Sequence, residues 1–96
     1  MNRREALEAA LDILAPRIPD HEFEAVLDHA LTSRGLGTAA PETAIWLSLV
    51  AYIRHRFTDY DSLMDEGYDG ESARFFVADE INGKLAEWGS PRRLDE

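Results

Sequence analysis

Three basic side chains in a row, Arg54, His55 and Arg56, are followed closely by Thr58, Asp59, Tyr60 and Asp61. Arginine grips carboxylates and phosphates because its planar guanidinium offers a rigid fork of donors. A histidine beside an aspartate is the unit that moves protons near neutral pH, with the carboxylate orienting the imidazole. Arg54, His55 and Arg74 are therefore candidates for a pocket taking a phosphate or carboxylate group, with Arg56 at its rim. His55 with Asp61 is a candidate acid–base pair, given an open cleft around His55. The same residues also have a purely architectural explanation. Arg54, His55 and Arg56 fall in the last turn of one predicted helix, where carbonyl ends favour positive charge. Asp59 and Asp61 fall in the first turn of the next, where N–H ends favour negative charge, and Thr58 is placed to cap it. On that basis Arg54 to Asp61 specify a sharp corner.

Arg74 resists the architectural explanation. At 100° per residue it falls among Ala73, Val77, Ile81, Leu85 and Trp88, on the apolar face of the last predicted helix. A buried guanidinium without a counter-charge is strongly unfavourable, so the sequence predicts a carboxylate partner, Asp61 first and Asp65 second. Such a bridge would staple the last two helices together.

These residues carry a resemblance. Arg54-His55, Thr58, Tyr60-Asp61 and Leu63, followed by Ala73-Arg74, Val77 and Trp88, match the motif of the domain of unknown function 2293 family, uncharacterised bacterial and fungal proteins. The match spans residues 45–88. The family pattern often places a histidine two positions before the Arg-His pair, where this chain has Tyr52, and a second leucine where it has Met64. A histidine pair at that spacing could have held a metal from one helix face; with Tyr52, His55 is the only histidine of the motif. The resemblance implies no established reaction, cofactor or substrate.

Other chemistry is weakly signalled. His21 and His29 lie near Asp20, Glu24 and Asp28, but histidine and carboxylate recur at this spacing in any acidic amphipathic helix, so no metal site is expected. The acidic run Asp59, Asp61, Asp65, Glu66, Asp69 and Glu71 superficially resembles a calcium loop. Aligned on Asp59, however, it puts Met64 where the loop needs glycine and Gly70 where it needs glutamate. There is no phosphate-cradling glycine loop, nucleophile elbow or two-histidine zinc helix. No cofactor and no catalytic residue is assigned, and a non-enzymatic role is expected.

The elements that must position these residues are helices. Asn2 with Glu5 has the form of a capping box, and Leu7, Leu11 and Leu14 continue as an apolar stripe that Pro16 and Pro19 stop. Asp20 is suited to cap a second helix striped by Phe23, Val26, Leu27, Ala30 and Leu31, and Gly35 stands where a left-handed terminal residue is expected. Pro41 opens a third helix to about residue 57 that is apolar almost all round, marking it as central to a core or an interface. Its mildly polar strip, Ala44, Ser48, Ala51 and His55, suits the close approach of another helix or a solvent edge. A short fourth helix ends at Gly67, and a fifth, capped by Asp69, ends at Gly89 and Pro91. Gly83 inside it is costly and suggests close helix contact. Trp46 and Trp88 read as core anchors. The fold class is all-α, a compact bundle of about five helices in one domain over residues 1–89, with a loose tail over 90–96.

Length and charge bound the rest. Ninety-six residues suit one core, and a formal charge of −9, from 19 acidic against 10 basic residues, disfavours nucleic acid. With no cysteine there are no disulfides or thiolate metal sites, as in a reducing compartment. The first residues lack the apolar stretch of a secretion signal, and the longest apolar run, residues 44–53, is half the length of a membrane span. A cytoplasmic protein without membrane contact is expected. Because the third helix offers more apolar surface than short helices can cover, the leading expectation is a non-catalytic module that associates with protein, a second copy of itself included. The alternatives are an anion or nucleic-acid binder using Arg54, His55 and Arg74, and an enzyme with His55 as general acid or base.

Overall fold

A computed structural model describes residues 1–94. Five helices run in the order α1 (Arg3–Leu14), α2 (Asp20–Thr32), α3 (Pro41–Phe57), α4 (Tyr60–Asp65) and α5 (Gly70–Glu87). The all-α class and the five-helix bundle of the sequence reading hold.

Local chemistry sets most of the ends. Asn2 accepts the Glu5 N–H at 2.9 Å while Glu5 returns a bond to the Asn2 N–H at 3.1 Å, a complete capping box. Asp69 accepts the Ser72 N–H at 2.8 Å and starts α5. Gly67 and Gly89 take positive φ, 103° and 79°. Each lets the chain fold back so that the next N–H reaches a carbonyl in the final turn, Tyr68 to Leu63 at 3.1 Å and Ser90 to Leu85 at 2.9 Å. Three expected details differ. Gly35 does not take a left-handed conformation, and α2 closes instead with the Ser33 N–H on the His29 carbonyl. Asp20 is the first residue of α2, behind Pro19, and gives it no side-chain cap. No neighbour lies within 4 Å of where a Gly83 side chain would stand, so this glycine marks no helix contact; nothing in the structure explains it.

Helix α3 is the axis and touches all four others. Ile45, Leu49 and Ile53 are fully buried on it, packed with Leu7 and Leu11 of α1, Val26 and Leu27 of α2, and Val77, Ile81 and Leu85 of α5. The expected surplus of apolar surface on α3 is not there: its neighbours cover it, and Leu47 alone among its large apolar side chains is half exposed. The polar strip divides in two. Ala44 and Ser48 are fully buried against α2, where the Ser48 hydroxyl donates to the Val26 carbonyl at 2.8 Å, whereas Ala51 and His55 open toward solvent.

The last described residues lie over α3 and α5. The Arg92 guanidinium sits 4.1 Å from the centre of the Trp46 ring, and the Leu94 N–H donates to Asn82 at 2.7 Å. Residues 95–96 of the expected loose tail lie outside the described residues.

Candidate functional site

The corner between α3 and α4 is built around one threonine. The Thr58 hydroxyl donates back to the Arg54 carbonyl at 2.5 Å and accepts the Tyr60 N–H at 3.1 Å. It thus closes the last turn of α3 and holds the first residue of α4, while the formal cap position is Asp59. Asp61, in the first turn of α4, is engaged across the corner. Its carboxylate turns to His55 and accepts from Nδ1 at 2.7 Å. The Tyr60 ring stands between the basic residues, edge-on to His55 at 5.3 Å and beneath the Arg54 guanidinium at 5.4 Å.

That ring divides the candidate cluster. On one side a depression of about 520 Å³ is lined by His29, Ala51, Tyr52, His55 and Arg56. On the other a groove of about 790 Å³ is walled by Arg54 and Arg74 together with Phe75, Phe76 and Leu94. Arg54, His55 and Arg74 therefore do not converge on one pocket. Arg54 joins Arg74, and His55 joins Arg56.

Arg74 is where the sequence expectation fails. No carboxylate of the described residues lies within 4 Å of it, and Asp61 is engaged with His55. The side chain is exposed and folds back along α5, its Nη1 within 3.0 Å of where a Gly70 side chain would begin. Period alone placed Arg74 on the apolar face, but it sits on the flank, and a long side chain carries its charge out to water from such a position. Arg54 is the more buried of the two. Its Nε has no hydrogen-bond partner among the described residues, and its pKa is lowered by burial and further by the Arg74 charge, against the opposing effect of Tyr60.

Arg56 belongs to a network the sequence reading missed. Glu22 of α2 is 4% exposed, and one oxygen, Oε1, accepts from the Tyr52 hydroxyl and from Arg56 Nε at 3.2 Å, with His21 Nε2 lying 3.4 Å away. Burial and the Glu22 carboxylate push the Tyr52 hydroxyl above its usual pKa. A buried carboxylate is tolerated because donors and a cation meet it. The signal was present in the sequence: Glu22 is four residues before Val26 and eight before Ala30, on the buried stripe of α2. His29 meets Ser48, its Nδ1 lying 2.9 Å from Oγ. Among the described residues no three histidine or carboxylate side chains gather as a metal site, and no helix is long and apolar enough to cross a membrane.

One surface has no counterpart in the sequence reading. Phe75 is 78% exposed in the interior of α5, with Phe76 beside it at 55%. Phe76 packs edge-on to Phe75 at 5.8 Å and to Tyr68 at 5.5 Å.

Fold and site together define a small helical domain wound around one central helix, with two arginine-bearing depressions on different faces. Within that class the chain belongs to the family described as uncharacterized conserved protein (DUF2293), whose model matches residues 10–89. No curated protein and no solved structure matches the chain.

Proposed function

We propose that the protein works by association, and that its partner is a second copy of the chain docked through the outer face of α5. The observation that carries this is the pair Phe75 and Phe76, exposed in the middle of an ordered 18-residue helix. With Tyr68, which packs on Phe76, they leave roughly 350 Å² of apolar side chain in water, taking about 200 Å² for each large side chain. That is as large as the biggest apolar patch of an ordinary monomer, a size that marks interaction sites.

The second copy is favoured because the face is complementary to itself. The groove beside Phe75 carries two cations, Arg54 and Arg74, and two anions, Glu71 and Asp79. None of the four has an ion-pair partner within 4 Å among the described residues. An antiparallel α5 pair centred between Phe76 and Val77 brings Arg74 level with the second copy's Asp79 across the seam. The same register lays Phe75 over Ala78 and Glu71 beside Asn82. In such a two-fold interface every contact occurs twice.

The magnitude points to a weak dimer. Burying half of the exposed apolar area on each copy gives about 9 kcal/mol gross at about 25 cal/mol per Å², comparable with the roughly 4–15 kcal/mol cost of association. Sedimentation velocity over a concentration series is the test. A monomer–dimer equilibrium is expected, lost in Phe75→Asp while the circular dichroism stays that of the folded protein. A wild type that remains monomeric at its solubility limit would remove the proposal.

A further inference from the structure

The depression between α2 and α3 is separate from the α5 face and is built differently. Each polar side chain that lines it is fixed from behind. The hydroxyl hydrogen of Ser48, a fully buried residue, goes to the Val26 carbonyl, so in the 2.9 Å contact with His29 the imidazole must supply the hydrogen. Nδ1 of His29 therefore carries a hydrogen, and Nε2 is the ring nitrogen left free. His55 is set the same way: Asp61 accepts from its Nδ1 at 2.7 Å, leaving Nε2 as the free ring nitrogen. Arg56 gives Nε to the buried Glu22 at 3.2 Å, lies beside the Tyr52 hydroxyl and packs its guanidinium 5.5 Å from the centre of the Phe57 ring, which holds the side chain with its terminal amino groups outward, without an ion-pair partner other than Glu22 among the described residues. The Tyr52 hydroxyl spends its hydrogen on the same carboxylate.

This is a preorganised arrangement rather than a scatter of surface charge. A guanidinium held by its inner nitrogen presents two parallel N–H groups, which match two oxygens of one oxyanion. Two imidazoles held by Nδ1 leave Nε2 free, and an imidazole with Nε2 unprotonated offers an acceptor that matches a hydroxyl group. Ala51 and the Tyr52 ring supply an apolar wall. A volume of about 520 Å³ lies in the range of small-molecule sites. A divalent metal fits poorly, because the Arg56 cation faces the same space and no third histidine or carboxylate completes a ligand set among the described residues.

We infer that this pocket binds a small hydroxylated oxyanion, with Arg56 holding the anionic group and the free Nε2 atoms of His29 and His55 accepting from its hydroxyls. The anionic group is a phosphate monoester or a carboxylate, and the experiment separates the two. Neither the α5 face nor dimerisation is required.

The test is a titration of isotope-labelled protein followed by NMR at the imidazole signals of His29 and His55 and the Nε–H of Arg56. The probes are glycerol 3-phosphate, glycerate, inorganic phosphate and glycerol. Saturable shifts at these three side chains are expected with glycerol 3-phosphate, with glycerate or with both, about tenfold tighter than with inorganic phosphate, and none with glycerol. Saturation by only one of the first two identifies the anionic group. Arg56→Lys keeps a cation beside Glu22 but removes the fork, and should weaken binding by about tenfold or more. Ala51→Leu fills the pocket without touching the network and should abolish binding even if the Arg56 variant folds poorly. Absence of saturable shifts with every probe, shifts confined to other parts of the surface, or binding unchanged in Ala51→Leu would overturn the inference.

Discussion

Replacing Tyr52 by phenylalanine tests the network that holds α2 against α3. The substitution keeps the ring, and with it the edge-on contact with Phe57 at 6.2 Å, and removes only the hydroxyl that donates to Glu22. Glu22 stays buried and loses one of its two hydrogen-bond donors; Arg56 remains. A hydrogen bond to a charged group contributes about 1.5–3 kcal/mol. The surviving charge-assisted bond from Arg56 puts the expected loss near the lower end, about 1.5 kcal/mol. For a domain of this size that lowers Tm by roughly 6–12 °C. A second signature follows from titration. The Tyr52 hydroxyl is held above its usual pKa by burial and by Glu22, so the folded state favours its proton. The stabilisation is complete below the unfolded value of 10.0 and is lost as pH rises through the higher folded value. Urea unfolding at neutral and strongly alkaline pH should therefore show a gap between wild type and Tyr52→Phe that narrows as pH rises. Equal stability at neutral pH, or parallel alkaline limbs, would show that the hydroxyl contributes nothing to the network.

Two glycines, Gly83 inside α5 and Gly89 just beyond its end, should respond in opposite directions. Gly83→Ala adds a methyl group to open space within α5 and should stabilise by about 1 kcal/mol, seen as a higher Tm. Gly89→Ala should lower Tm, because its φ is 79° and a side chain there would meet Arg17 Nη1 at 2.9 Å and Pro16 Cγ at 3.0 Å. The Asp69 carboxyl is held below the usual range, chiefly by the Ser72 N–H and also by the Arg74 charge. Its contribution is present above the unfolded carboxylate pKa and lost as pH falls through the lowered folded value. Asp69→Asn keeps a capping oxygen but should flatten the acid limb of the stability curve, measured by urea unfolding from neutral to acid pH.

What the sequence made legible is what short-range chemistry decides. The Asn2–Glu5 box, the Asp69 cap and the left-handed glycines at 67 and 89 involve partners within a few residues, and each stands where residue type placed it. The central position of α3 followed from an apolar circumference. The errors arise where a helical period must also say how far a side chain reaches. Arg74 and Glu22 both fall near a buried stripe, yet Arg74 has a stem long enough to carry its charge to solvent, while Glu22 is short and stays beneath Tyr52 and Arg56. Asp61 was open to three readings, a helix-end charge, a partner for Arg74 and a partner for His55; it meets His55, because the tight Thr58 turn brings the first turn of α4 beside the last turn of α3. The split of the basic cluster by Tyr60 depends on which sides of α3 face α2 and α5, and one chain's periodicity does not determine that. Phe75 and Phe76 gave no signal at all, since apolar residues on a helix are read as core until the packing is known.

Self-association through α5 is tested most directly by exchanging charge across the proposed two-fold. Arg74→Asp and Asp79→Arg each place like charges opposite one another twice in the dimer, whereas the double variant restores opposite charges in reversed order. In sedimentation velocity the wild type and the double variant should both show the concentration-dependent dimer, and each single variant should be monomeric. A dimer that survives both single substitutions, or a double variant as monomeric as either, would contradict the antiparallel α5 interface.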